Sequence, residues 1–102
     1  MHATIRLYPG MAGQSGRFAA HRVELEKVMQ SVPGLLSFHL IETAEGVAIV
    51  TLCHDRGGSD EAARRLLQWT DERVPDLAHR EPLVVDGEVI AGWRRTTGMS
   101  SV

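Results

Sequence analysis

The chain has 102 residues, room for one ordinary domain and not for a second core. Its hydrophobic fraction of 43% and charged fraction of 24% are those of a globular protein and exclude a disordered or fibrous one. Eleven Lys and Arg against thirteen Asp and Glu leave a net charge of −2, with no basic excess to hold nucleic-acid phosphates.

Ala3, Ile5 and Leu7 alternate with Thr4, Arg6 and Tyr8, the period-two pattern of a strand over Ala3–Tyr8. Pro9-Gly10 ends it, and the Gly- and Ser-containing stretch to Gly16 reads as a loop. From about Arg17 to Ser31 the period changes. Phe18, Leu25, Val28, Met29 and Val32 share one side of a helical wheel, and Glu24, Lys27, Gln30 and Ser31 the other. Ser15 is the expected N-cap of this helix, and Pro33-Gly34 its stop.

Two strands follow, Leu35–Thr43 and Val47–His54, joined through Ala44-Glu45-Gly46 as an antiparallel hairpin. The second is apolar at both parities from Val47 to Cys53. The first carries Leu36, Phe38 and Leu40 on one face, Leu35 and Ile41 on the other. A sheet with one wet face would alternate cleanly, so both faces are expected to be covered.

Asp55-Arg56-Gly57-Gly58 reads as a loop, after which Ser59 is expected to cap a second helix with Asp60 and Glu61 in its first turn. Ala63, Leu66, Leu67, Thr70 and Val74 form its predicted buried stripe, with Trp69 at the margin and Pro75 at the end. A polar connection, Asp76 to Glu81, leads to Leu83-Val84-Val85, Asp86-Gly87 and Glu88-Val89-Ile90. Asp-Gly there reads as a two-residue turn or as a bulge in one long strand, the bulge being favoured. The domain is expected to span residues 1–93, and Arg94 to Val102 to form a loosely held tail.

Strand, helix, strand, strand, helix, strand is the split βαβ order of ferredoxin-like α+β folds, with an antiparallel sheet and both helices on one face. The other face must meet water or a partner. The apolar middle strands favour a partner, and the simplest is a second copy related by a two-fold axis. Four short strands would bury on the order of 800 Å² per partner. The expectation is therefore a homodimer through the sheet face.

The arrangement resembles the dimeric α+β barrel superfamily, in particular its antibiotic biosynthesis monooxygenase-like proteins. The resemblance is carried by Pro33-Gly34, Gly46-Val47-Ala48, Trp69, Glu81-Pro82 and Gly87-Glu88-Val89, and covers Ala3 to Ile90. It implies two sheets packed into a barrel, helices outside, and a cavity between sheet and helices in each protomer. Members that oxidise aromatic or polyketide substrates do so there without metal or flavin. Haem-degrading relatives use an Asn, a Trp and a His; this sequence contains no asparagine.

His39, amid Leu36, Phe38, Leu40 and Ile41, reads as a general base in a cavity or as an interface histidine satisfied by a partner chain. Arg6 and Tyr8 share one strand face. There they could clamp a carboxylate or enolate and a phenol or carbonyl, or pair with the other subunit and fill the strand end. His54 closes the third strand; a two- or four-residue hairpin turn is expected to make it a diagonal neighbour of His39, and a three-residue turn to make the two oppose. Two histidines still lack the third protein ligand of a catalytic zinc site, so no metal is expected. Trp69 reads as a ligand-lining aromatic or a core anchor, and His21 as a packing residue. Cys53 stands inside a strand with no base or helix N-terminus beside it, which argues against a nucleophile.

The single cysteine excludes an intrachain disulfide and suits a reducing compartment. Met1 to Arg6 lacks the apolar run of a signal peptide, and no stretch approaches the ~20 apolar residues of a membrane span. The sequence thus predicts a cytoplasmic protein with no nucleic-acid or membrane partner and no cofactor. The resemblance implies a cofactor-independent monooxygenase-like enzyme acting on a small organic molecule. The alternative is a non-catalytic small-molecule-binding or dimerisation domain of the same fold.

Overall fold

The computed structural model describes residues 1–75 and 80–95, with only the backbone of residue 15. Its elements run β1 (His2–Pro9), α1 (Ser15–Ala19), α2 (Arg22–Gln30), β2 (Leu35–Glu42), β3 (Gly46–Cys53), α3 (Arg56–Arg73) and β4 (Leu83–Glu88). All strand pairs are antiparallel and the sheet order is β2-β3-β1-β4, with the helices against one face. This is the ferredoxin-like α+β arrangement predicted from the element order.

Four local readings are corrected. The first helix is two helices, because the bonding tightens at the junction: the His21 amide reaches only to the Phe18 carbonyl, three residues back, before α2 begins. Gln14 rather than Ser15 precedes α1, without a side-chain cap bond. The second helix starts three residues before Ser59. Asp55, in extended conformation, accepts the Gly58 amide at 2.8 Å and is the cap, leaving Asp60 and Glu61 beyond the first turn. Gly57-Gly58 is therefore helical, and a Cβ on Gly58 would stand 3.3 Å from the Cys53 Cβ. Finally, β4 is neither turned nor bulged at Asp86-Gly87. Its pairing with β1 runs one to one from Glu88 opposite His2 to Leu83 opposite Leu7, and Gly87 lacks the positive φ that a primed turn needs. Residues 76–79 of the polar connection and 96–102 of the tail lie outside the described residues.

The helix-facing side of the sheet carries His2, Thr4, Arg6 and Tyr8 from β1, every second residue of β3 from Val47 to Cys53, and Phe38 and Leu40 from β2. Phe18, Leu25 and Met29 close over it from the first helical pair, Leu66 and Trp69 from α3. Leu67, predicted as buried, is exposed; Ala62 takes its place in the stripe and Trp69 moves from the margin into the core. The helix begins one turn early, and the buried arc follows Ser59, Ala62, Leu66, Trp69 and Thr70.

On the far side, successive rows read His39, Val50, Ile5, Val85 and Ile41, Ala48, Leu7, Leu83. Ile5 is 47% exposed, Leu83 61% and Val85 67%, so this apolar face is bare in the single chain.

Both ends of α3 are tied to the α2 region. Glu24 accepts the Trp69 indole N–H at 2.8 Å and the Arg73 Nε at 2.6 Å. Glu61 accepts from Arg64 and Arg65, and Arg65 donates onward to the Ser31 carbonyl at 2.9 Å. The hydrogen bonds from Arg64 and Arg65 hold the Glu61 carboxyl at about 2, against an ordinary 4.5. A carboxyl depressed by folding contributes stability above its unfolded value and loses it as pH falls through the folded one. Wild-type melting temperature is therefore expected to drop between the ordinary value and pH about 2, and Glu61→Gln to flatten that drop, as read by thermal unfolding across this range.

Candidate active site

The alternation of β1 turns its polar parity toward the helices. Thr4 and Arg6 stand opposite Thr51 and Ile49 on β3, and the early start of α3 brings Ser59 and Ala62 down over them. Between them lies a narrow cleft lined by Thr4, Arg6, Ile49, Thr51, Ser59 and Ala62, with a volume of about 10 Å³. That is room for one water-sized molecule among several hydroxyls and a guanidinium.

At one end of this row, His2 Nδ1 and Ser59 Oγ lie 2.7 Å apart, both residues buried. At the other end Tyr8 is 2% exposed, with Arg6 beside it on the same strand face. Burial raises the phenol above its ordinary value of 10, opposed by the charge and hydrogen bond of Arg6. Among the described residues no carboxylate forms an ion pair with Arg6. On the helix side of β4, Val84 stands opposite Arg6 and Asp86 opposite Thr4, and both are exposed beside the row.

The predicted site residues are thus divided. Arg6 and Tyr8 are together, the first in the cleft wall and the second in the core. His39 projects from the bare face of the sheet opposite Val50, away from the cleft. The turn is the two residues Ala44 and Glu45, held by Thr43 and Gly46, yet His54 is not the diagonal neighbour that this turn was expected to give. Val50, the partner of His39, is four residues short of His54, a gap of roughly 13 Å along the strand. A register shift between Leu35 and Ser37 also leaves His54 beyond the end of β3, its amide bonded to the Gly34 carbonyl in a surface hollow at the start of α3.

Trp69 stacks with Phe18 at 6.3 Å between centroids and meets His21 edge-on at 5.9 Å; only its margin touches an outer groove of α3. Among the described residues no three His, Cys, Asp or Glu side chains gather to hold a metal ion, and no helix is long and apolar enough to cross a membrane. His2, Thr4, Thr51 and Ser59 were missed. His2 and Thr4 share the parity of Arg6 and Tyr8, and that was the available signal.

No protein-family model matches the chain, and no curated protein does. Solved structures do. A variant of MhuD with two manganese protoporphyrin IX molecules bound per active site superposes at a TM-score of 0.66 with 15% identity, covering 93% of this chain and 100% of that one. A monooxygenase from the gene ActVA-Orf6 of Streptomyces coelicolor, in complex with nanaomycin D, gives 0.65 with 14% identity over 93% of this chain and 91% of that one. A dimeric ferredoxin-like protein from an uncultured marine organism gives 0.60 with 10% identity over 92% and 97%. At these identities the likeness is one of fold alone, the ferredoxin-like α+β fold that the strand order already shows.

Tyr8 is the only tyrosine, so its titration can be followed directly by ultraviolet absorbance. It is expected to ionise above the ordinary value of 10 in the folded chain, and Arg6→Met to move it higher still, since Arg6 opposes the rise. The neutral phenol is the form folding favours. Its contribution is present below the unfolded value and is lost as pH climbs through the folded one.

Proposed function

We propose that two copies of this chain pair through the bare face of the sheet, and that each protomer binds a small organic anion at the Arg6 cleft for monooxygenase-type chemistry without a metal or flavin. The observation that carries this reading is the inverted polarity of β1, which turns Thr4, Arg6 and Tyr8 inward and Ile5 and Leu7 outward. Aliphatic residues left in water favour a cover, and identical copies supply one through a two-fold interface. Just beyond β4, Ile90 and Trp93 are also left in water, 96% and 79% exposed. The dimeric fold relatives support the pairing. The cytosol is the compartment this reading assumes.

An inward guanidinium with no carboxylate partner among the described residues suits a phenolate or enolate oxygen. The cleft, about 10 Å³, has room for that oxygen alone, so the rest of the molecule would lie outside it. An enolisable aromatic can serve as its own reductant: anthrone and dioxygen give anthraquinone and water, one oxygen atom entering the product and the other leaving in the water. Arg6 would hold the anion from which the electrons depart.

The second reading, a non-catalytic binding or dimerisation domain, is favoured by the size of the cleft, about 10 Å³. The two separate in an oxygen electrode. With anthrone, wild type is expected to raise uptake above the spontaneous rate, and Arg6→Met to lower the enzymatic part by roughly a hundredfold. Equal uptake by the two proteins leaves only the binding domain standing. For the pairing itself, sedimentation is expected to give a dimer, and Ile5→Glu to weaken it by about a hundredfold or more, since like charges would meet in the seam.

A further inference from the structure

Beneath the first turns of α3, His2 and Ser59 are each more than nine-tenths buried and share a 2.7 Å hydrogen bond. Ser59 also lines the cleft, whereas His2 stands behind it. The imidazole therefore meets the cleft only through the serine hydroxyl. His39 and His54 are elsewhere and His21 packs on Trp69, so among the described residues His2 is the one imidazole positioned to exchange a proton with the cleft.

Given the reading of the cleft as an anion site, on which this inference rests, we propose that Ser59 and His2 form a proton relay that ionises a bound phenol or enol. The Ser59 hydroxyl donates to His2 Nδ1, which leaves its oxygen lone pairs facing the cleft. A ligand hydroxyl held near Arg6 gives its proton to Ser59 Oγ as the serine passes its own proton to Nδ1. Neutral ligand and neutral imidazole become an oxyanion and an imidazolium. No electron moves and no proton leaves the protein. The oxyanion is balanced by Arg6, and the imidazolium lies at the end of the row where Glu88 stands opposite His2 on β4. The other groups around His2 are Cys53 opposite on β3, the Met1 ammonium bonded to Glu88, and Asp55 at the cap of α3.

This arrangement makes a thermodynamic signature that packing alone does not produce. When the protein takes up the proton, the affinity for a phenol stays flat as pH falls below the phenol's own pKa. When it cannot, binding of the phenolate weakens about tenfold per pH unit. The probe is 4-cyanophenol, whose phenolate absorbs to the red of the phenol. Binding to the full-length protein is measured from the probe's pKa down to neutral pH.

Wild type is expected to bind phenolate with a flat profile. His2→Gln, which keeps a partner for Ser59, and Ser59→Ala, which fits the space, are each expected to bind it with the tenfold slope. Thermal melting of both variants checks that they are folded. If both folded variants keep the flat profile, the relay is wrong while the anion site stands. If wild type shows no saturable phenolate binding, or Arg6→Met binds as well as wild type, the site reading fails and the relay with it.

Discussion

β1 is an interior strand, hydrogen-bonded to β3 on one side and β4 on the other, so its two faces are fixed together. A slip of one residue would send Ala3, Ile5 and Leu7 into the core and Thr4 and Arg6 into water, the usual choice for a sheet with one open face. The chain does the reverse, and the hairpin end of β3 enforces it. A Cβ on Gly46 would stand 2.0 Å from the Tyr8 carbonyl oxygen, so only glycine lets β3 enter against this part of β1. With that register set, Tyr8 is buried beside Val47 and the polar parity of the strand follows it inward.

Polar groups turned inward must find partners, since an unpaired buried donor or acceptor costs about 1–3 kcal/mol. Here they do: among the described residues no buried side-chain nitrogen or oxygen lacks a hydrogen-bond partner. His2 is satisfied by Ser59, and Arg6 lies beside the Tyr8 phenol. These contacts need α3 at one height above the sheet. Gly58 allows the approach at Cys53, Ala62 keeps the wall thin, and the Glu24 and Glu61 bridges hold the helix at its two ends. The cleft is thus a consequence of how the helix is seated, and its donors are ordered before any ligand arrives.

The sequence made some of this legible and not the rest, for reasons that differ by residue. Element order and the two-sided greasiness of β2 and β3 are strong periodic signals, and they led to the correct sheet and helix layer. Boundaries were weaker. Ser59 looked like a cap because Ser-Asp-Glu is good cap chemistry, but Asp55 is as good and lies one turn earlier, and sequence alone does not rank them. Asp86-Gly87 carried a turn signal that the pairing of β4 along β1 overrode. For the site, Arg6 and Tyr8 were visible as a shared parity. His39 and His54 drew attention by residue type, yet the two-residue turn pairs His39 with Val50 and leaves His54 four residues farther along the chain. His2 shares the parity of Arg6 and Tyr8, but its tie to Ser59 joins residues 57 apart in the chain, a contact that strand periodicity does not encode.

One backbone therefore carries two demands. Ile5 and Arg6 are adjacent, pointing to opposite sides of the same strand, and the edge strand β4 repeats the division with Val85 outward and Val84 beside Arg6. Whatever covers Ile5 and Val85 also restrains the peptide planes that set the position of Arg6, because a pleated strand cannot shift one face alone. Ordering a segment in advance lowers the entropy lost when a second ligand binds to it, and the linkage is reciprocal. A cover on the aliphatic face and an anion on the polar face are thus expected to favour each other, with no contact between them. The coupling runs through a single strand, and its physical source is the same alternation that put polar side chains on the inside.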